Sequence, residues 1–219
     1  MVNELNYQHT YQELNQEVSK YPQEVTIIAV SKYVGTDEIK AAYDVGFRDF
    51  GENRVPDLTE KMQELSNDCP DIRWHFIGNI QSNKIKELMS LKNLYAIHSV
   101  DSLKHVKMIG ERAIGPIKMF IQVNTSEEIQ KGGVHTLEDI IELKKEIDHY
   151  PYLFFEGLMC MAPVGGDLQA ARNSFSRLKS LGEKIPSAQL SMGMSGDYPV
   201  ALELGANYIR VGSKIFRLS

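Results

Sequence analysis

The sequence predicts an α/β protein: a (β/α)8 TIM barrel, a single domain over residues 1–219, with one extra helix ahead of the first strand. Three observations carry this. Short apolar runs rich in β-branched and aromatic residues recur eight times. Nearly all are separated by stretches with apolar residues at helical spacing, the signature of βα units on a parallel sheet. No linker, low-complexity tract or charge block interrupts the alternation. An open, doubly wound sheet is the alternative, because periodicity does not show closure. The absence of a G-x-G-x-x-G after the first strand weighs against its dinucleotide-binding form.

The elements follow in order. Tyr7, Tyr11, Leu14 and Val18 share one helical face, and Pro22 closes that helix. Val25 to Ser31 is a near-continuous apolar run, as expected of a buried parallel strand, and it stops at Lys32. Thr36 or Asp37 caps the next helix, with Ile39, Ala42 and Tyr43 inward and Gly46 at its end. Phe47 to Asn53 is the second strand, and Val55, Leu58, Met62 and Leu65 mark its helix. Trp74 to Gly78 is the third, followed by a helix with Ile85, Leu88 and Met89. Leu94 to Val100 is the fourth, with Asp101 capping a helix that turns Leu103, Val106 and Ile109 inward. Ile117 to Val123 is the fifth, and Thr136 caps the helix of Leu137, Ile140, Ile141 and Ile147. Leu153 to Met161 is the sixth, stopped by Ala162-Pro163, before a helix face of Leu168, Ala171, Phe175, Leu178 and Leu181. Ala188 to Met192 is the seventh, Asp197 opens a short helix through Leu204, and Tyr208 to Val211 is the eighth.

Composition bounds the function. With 219 residues and 42% hydrophobic side chains, the chain can bury a core large enough for a rigid site. A net charge of −5 offers no basic field for nucleic acid. Cys69 and Cys160 are too few for a disulfide framework, which suits a reducing compartment. Met1 to Gln8 has neither the basic nor the apolar region of a signal peptide, and no apolar run suffices to cross a membrane. The expectation is a cytoplasmic protein. His75 and His98 read as core histidines. His9, His105, His135 and His149 show no metal-ligand spacing, so no metal site is expected. Cys160 reads as a small buried hydrophobe, and Cys69, in Asp68-Cys69-Pro70, as an exposed loop residue.

In a (β/α)8 barrel the site lies at the carboxyl ends of the strands. Those ends carry Lys32, Asn53, Gly78 with Gln81, Ser99, Asn124 and Gly193-Met194-Ser195. Lys32 either snorkels to the rim or is desolvated into a nucleophile. Gly193-Met194-Ser195-Gly196-Asp197 after the seventh strand and Gly212-Ser213 after the eighth form a candidate phosphate cup. Glycines admit the anion to backbone N–H groups, and Ser195 and Ser213 add hydroxyl donors. Read structurally, Ser195 caps a helix and Gly212 makes a turn. A reactive lysine beside a phosphate cup suits two chemistries. One is a Schiff-base aldolase acting on a phosphosugar; the other is binding of pyridoxal 5'-phosphate (PLP). Arg210 favours the second, because an arginine can face the pyridine nitrogen and disfavour its protonation.

The chain resembles the pyridoxal phosphate homeostasis protein family, relatives of the barrel half of bacterial alanine racemase. The resemblance rests on Ala29-Val30-Ser31-Lys32, Phe50-Gly51-Glu52-Asn53, Trp74-His75-Phe76-Ile77-Gly78 with Gln81-Ser82-Asn83-Lys84, Gly157-Leu158-Met159, Leu190-Ser191-Met192-Gly193-Met194-Ser195 and Ile209-Arg210-Val211-Gly212-Ser213. It implies an alanine racemase N-terminal-domain-like barrel. It further implies that Lys32 forms a Schiff base with PLP, that Asn53 sits beside the cofactor, that Ser195, Gly212 and Ser213 hold the phosphate, and that Arg210 faces the pyridine nitrogen. Ser213 stands where the family often has threonine. Arg54-Val55-Pro56-Asp57 replaces a glutamine-bearing segment, so no role is carried over there. The implied function is PLP binding in intracellular PLP homeostasis without established turnover, with no catalytic residue assigned. The alternative is a PLP-dependent amino-acid racemase or lyase. Racemisation would need a second acid/base, a tyrosine from a further domain, and the chain reaches Ser219 directly after the eighth unit. A monomer is expected, with PLP and, further, PLP-dependent apoenzymes or amino acids as partners.

Overall fold

In the computed structural model, residues 4–126, 132–163 and 165–216 are described. Eight parallel strands close a barrel in chain order: β1 (Thr26–Val30), β2 (Asp49–Glu52), β3 (Arg73–Phe76), β4 (Leu94–Val100), β5 (Ile117–Gln122), β6 (Leu153–Met159), β7 (Gln189–Met194) and β8 (Tyr208–Val211). The seam is β8 on β1, with Thr26 opposite Tyr208 and Ile28 opposite Arg210. Closure sets aside the open-sheet alternative. The helices are α1 (Glu4–Val18), α2 (Thr36–Asp44), α3 (Val55–Glu64), α4 (Ile85–Leu88), α5 (Leu103–Gly110), α6 (Leu137–Asp148), α7 (Leu168–Gly182), α8 (Tyr198–Glu203) and α9 (Ser213–Phe216), with a 3-10 turn at Ser82–Lys84 before α4. The terminal residues Met1–Asn3 and Ser219, used in the sequence reading, lie outside the described residues.

Two cores result from the strand period of two. One side of each strand packs outward on the helices and includes Ala29, Phe50, Ile97, Met119, Ile121 and Ile209. The other fills the barrel with Ile28, Ala96, Phe120, Met159 and Tyr208. α1 lies on the flank of the barrel between α2 and α9. Leu14 is fully buried there, and Tyr7 and Tyr11 stack edge-on against Phe216 and Phe47. Tyr11 also explains Gly46. A Cβ at Gly46 would lie 2.7 Å from the tyrosine ring, and its φ of +123° suits glycine alone.

Several boundaries move by one or two residues. Gly35, not Thr36, caps α2, and its N–H donates to Glu38. Ser102, not Asp101, caps α5 by accepting from the His105 N–H. β6 ends at Met159, and β7 runs on to Met194. Ile141 and Leu168 are exposed, at 39% and 57%, because each lies at the edge of its helix's apolar stripe. Cys69 is buried rather than exposed: its loop folds back, with the Cys69 N–H on the Leu65 carbonyl. Among the described residues, no helix is long and apolar enough to cross a membrane.

Candidate functional site

A cavity of about 810 Å³ opens at the carboxyl ends of the strands. Lys32, Asn53, Ser195, Arg210, Gly212 and Ser213, picked from sequence, all line it. Four cations line it as well, Lys32, Arg54, Lys84 and Arg210, and among the described residues no carboxylate does. In a chain of net charge −5, that is a local field for an anion. Two of these cations are shared: Lys84 pairs with Glu87 at 2.8 Å and Arg54 with Asp57 at 3.7 Å. Lys32 has no ion pair among the described residues, and its Nζ lies 4.9 Å from the Tyr33 ring centre.

Lys32 follows β1 by two residues, and its backbone is anchored from behind. Lys61 on α3 donates to the Ser31 carbonyl at 2.8 Å and to Glu52 Oε1 at 2.7 Å, and Ser31 Oγ donates to the same oxygen at 2.6 Å. Glu52 is fully buried, and burial raises its pKa against the pull of Lys61 and Ser31. The three groups fix the peptide that presents Lys32. Asn53 comes directly after Glu52. Its backbone touches the loop after β3 so closely that a Cβ at Gly78 would fall 1.9 Å from the Asn53 carbonyl oxygen. Ser99 donates to the Gly78 carbonyl at 2.5 Å and so braces this contact from inside the fold.

The two glycine loops meet. Ser195 Oγ accepts from the Gly212 N–H at 3.1 Å and the Lys214 N–H at 3.5 Å, which leaves its own proton to donate. Gly193 turns the chain at φ +91°, and Asp197 holds that turn by accepting from the Met194 N–H at 2.5 Å. A Cβ at Gly212 would crowd the Val30 carbonyl at 3.3 Å, whereas one at Gly196 would stand in open space. Arg210, on β8, is buried. Its Nη1 donates to Ser191 Oγ and its Nη2 to the Cys160 carbonyl, each at 2.8 Å. Burial pulls its pKa down, yet a guanidinium stays charged.

Not every polar strand end reaches the cavity. Ser99 and Asn124 do not line it, and Asn124 Oδ1 instead accepts from the Ser126 N–H and hydroxyl. Val30, Tyr33, Phe76, Ile77, Met161 and Met194 form apolar walls, a role that sequence reasoning did not assign to them. A separate Ser82–His105–Asp101 contact ties the turn after β3 to α5, with His105 Nε2 at 3.3 Å from Ser82 Oγ and Nδ1 at 2.8 Å from Asp101. Among the described residues, no cluster of metal-ligating side chains occurs.

The geometry agrees with what the chain is similar to. The family model described as "Alanine racemase, N-terminal domain" matches residues 2–219. The "Pyridoxal phosphate homeostasis protein" of Schizosaccharomyces pombe is 38% identical over 201 residues, covering 88% of this chain and 83% of the relative. That of Helicobacter pylori is 39% identical over 198 residues, covering 88% and 87%. Among solved structures, PipY of Synechococcus elongatus with PLP bound superposes with a TM-score of 0.82 at 31% identity, covering 96% of this chain and 99% of PipY. Alanine racemase from E. faecalis, at 14% identity and a TM-score of 0.77, shares the fold over 59% of its own length.

Proposed function

Because this chain belongs to the pyridoxal phosphate homeostasis protein family, within the alanine racemase N-terminal domain fold, we propose that it binds PLP in this cavity and serves PLP homeostasis. The observation that carries the reading is one cavity that holds a lysine amine without a carboxylate partner among the described residues, a cup of two glycine loops, and a buried arginine. The donor set fits the cofactor. Lys32 would hold the aldehyde carbon. Ser195, Ser213 and the Gly212 loop would hold the phosphate, and Arg210 the pyridine nitrogen. When bound, PLP supplies an aldehyde that condenses with a primary amine and a pyridine ring that withdraws electrons from the attached carbon.

The chain's own groups act by binding and orienting. The Gly212 cradle admits an anion where a side chain would crowd Val30. The Ser31, Glu52 and Lys61 contacts hold the backbone that presents Lys32, whose amine has no ion pair among the described residues. Arg210, a donor with no proton to give up, would disfavour protonation of the ring nitrogen and so temper the cofactor as an electron sink. Among the described residues, no histidine, carboxylate or cysteine side chain lines the cavity, so Lys32, Lys84 and Tyr33 are the groups there that could move a proton.

The test is the visible spectrum of the protein with PLP, followed by borohydride reduction and peptide mapping. A yellow protein whose reduced adduct maps to Lys32 supports the reading. A protein that takes up no PLP overturns it. Lys32→Ala is expected to lose the covalent link and keep weaker, phosphate-anchored binding; undiminished visible absorbance in that variant would remove Lys32 from its role.

A further inference from the structure

A line of buried polar side chains crosses the barrel interior from floor to mouth. At the floor, Asp49 Oδ2 accepts from Arg73 Nη2 at 2.5 Å, and Arg73 is half exposed. Asp49 Oδ1 lies 2.9 Å from His75 Nε2. His75 Nδ1 lies 2.9 Å from His98 Nε2. His98 Nδ1 lies 2.9 Å from Ser191 Oγ, which accepts from Arg210 Nη1 at 2.8 Å. His75, His98 and Ser191 are fully buried, and Asp49 and Arg210 are 5% exposed.

The two ends, with neutral histidines between them, set the direction of every bond. Arginine only donates, and an ionised carboxylate only accepts. Arg210 therefore gives to Ser191, whose one proton must go to His98 Nδ1. His98 then carries its proton on Nε2 and gives it to His75 Nδ1. His75 in turn carries its proton on Nε2 and gives it to Asp49. Each group is then satisfied once and both histidines share one tautomer; with both histidines neutral, as their burial favours, no other assignment satisfies all four links. Burial pulls both histidines below the ordinary imidazole value, and His98 well below it, with His75 and then Arg210 adding to the effect there.

We propose that Ser191, His98, His75 and Asp49 form a one-directional hydrogen-bond chain that positions Arg210 for the pyridine nitrogen and couples the cofactor site to the barrel floor. Its role toward PLP rests on the function proposed above; the chain itself does not. Ser191 and the histidines are positioning residues, acting through Arg210. A single orientation of the guanidinium follows, because Nη1 and Nη2 are both committed, to Ser191 and to the Cys160 carbonyl. A bond from Arg210 to the ring nitrogen would then alter the Arg210–Ser191 bond and the histidines behind it, since linked bonds polarise one another.

Ring-nitrogen NMR of the 15N-labelled full chain, with and without PLP, tests this. Without PLP, both buried histidines should show a protonated Nε2 and a bare Nδ1; the opposite tautomer in either overturns the chain. With PLP, the His98 Nδ1 signal should move in the wild type. In Ser191→Ala that response should disappear, the visible band of bound PLP should shift, and PLP should bind about tenfold more weakly, as for one lost charge-assisted hydrogen bond. Ser191→Thr, which keeps the hydroxyl, should restore the band. A Ser191→Ala protein with an unchanged band and an intact His98 response overturns the positioning role. If the wild type binds no PLP, the proposed function and the role toward PLP fall together, while the tautomers still decide the chain.

Discussion

At the scale of single residues, Arg210 and Gly78 make contrasting predictions. Arg210→Glu replaces a buried donor with a carboxylate, which stabilises a protonated pyridine. The absorbance of bound PLP should then acquire a pH dependence that the wild type lacks, checked by spectral titration. A spectrum that stays constant across pH would remove Arg210 from the ring nitrogen. Gly78→Ala acts through packing. The new methyl would sit 1.9 Å from the Asn53 carbonyl oxygen and 2.6 Å from its carbon, both backbone atoms that cannot rotate away. A cost of about 3 kcal/mol is expected, hence a drop in Tm of roughly 6–12 °C by calorimetry. The displaced Asn53 should also weaken PLP binding. A Tm within 2 °C of wild type, roughly half a kcal/mol, would show that the contact relaxes freely.

Much of the site was legible in the residues themselves. Lys32, Asn53, Ser195 and Gly212 stand where strands end, and strand ends are marked by a change from apolar to polar. The buried chain behind Arg210 was not legible. His75 and His98 could be placed in the core, which is where they lie, but not joined to each other. Their partners depend on which side of each strand faces inward and on cross-strand register, here Gly51 opposite His75 and His75 opposite Ala96. A slip of one residue reverses the side, and sequence period alone does not fix that slip. Cys69 was misread for a related reason, since its burial comes from joining the core cluster around the barrel, which is a tertiary matter.

At the scale of elements, α1 was readable as a helix from Tyr7, Tyr11, Leu14 and Val18, while its place was not. The pattern states that one face is buried, not against what. The structure puts it on the flank, where Tyr7 meets Phe216 of α9, the short helix that begins with Ser213 of the cup. Leu14 is the fully buried anchor of this packing. Leu14→Ala should cost about 2–5 kcal/mol, the range for emptying a buried leucine site, seen as a roughly proportional fall in urea midpoint at unchanged m-value. Were α1 a loosely held appendage, the midpoint would hardly move. Caps slipped by one residue at α2 and α5 because neighbouring polar residues, Thr36 and Asp101, offer equally good cap chemistry.

At the scale of the whole molecule, the buried ionisable groups dictate how stability depends on pH. His75 and His98 are held neutral in the fold, with burial as the leading cause for both. Unfolded, each would titrate near the ordinary value of about 6.5. Below that pH the unfolded chain takes up protons that the native barrel refuses, so stability is complete above pH ~6.5 and falls as pH falls beneath it. The slope approaches about 1.4 kcal/mol per pH unit for each histidine. Asp49 adds to the acid limb at lower pH. Burial opposes its charge, but His75 and Arg73 hold its pKa below the ordinary carboxylate value, so its contribution is lost as pH falls through that depressed value. Glu52 opposes the trend, because burial raises its pKa and the native state then welcomes a proton in mild acid. Two histidines outweigh one carboxylate between pH 6.5 and the range where Glu52 titrates. Urea unfolding at intervals from pH 8 to pH 5 should therefore show a plateau and then a decline. His98→Gln should be less stable at pH 8 yet decline less steeply, since one of the two refused protons is gone. A wild-type curve that stays flat down to pH 5 would mean that the buried histidines accept protons in place, and the hydrogen-bond direction inferred through the barrel would fail with it.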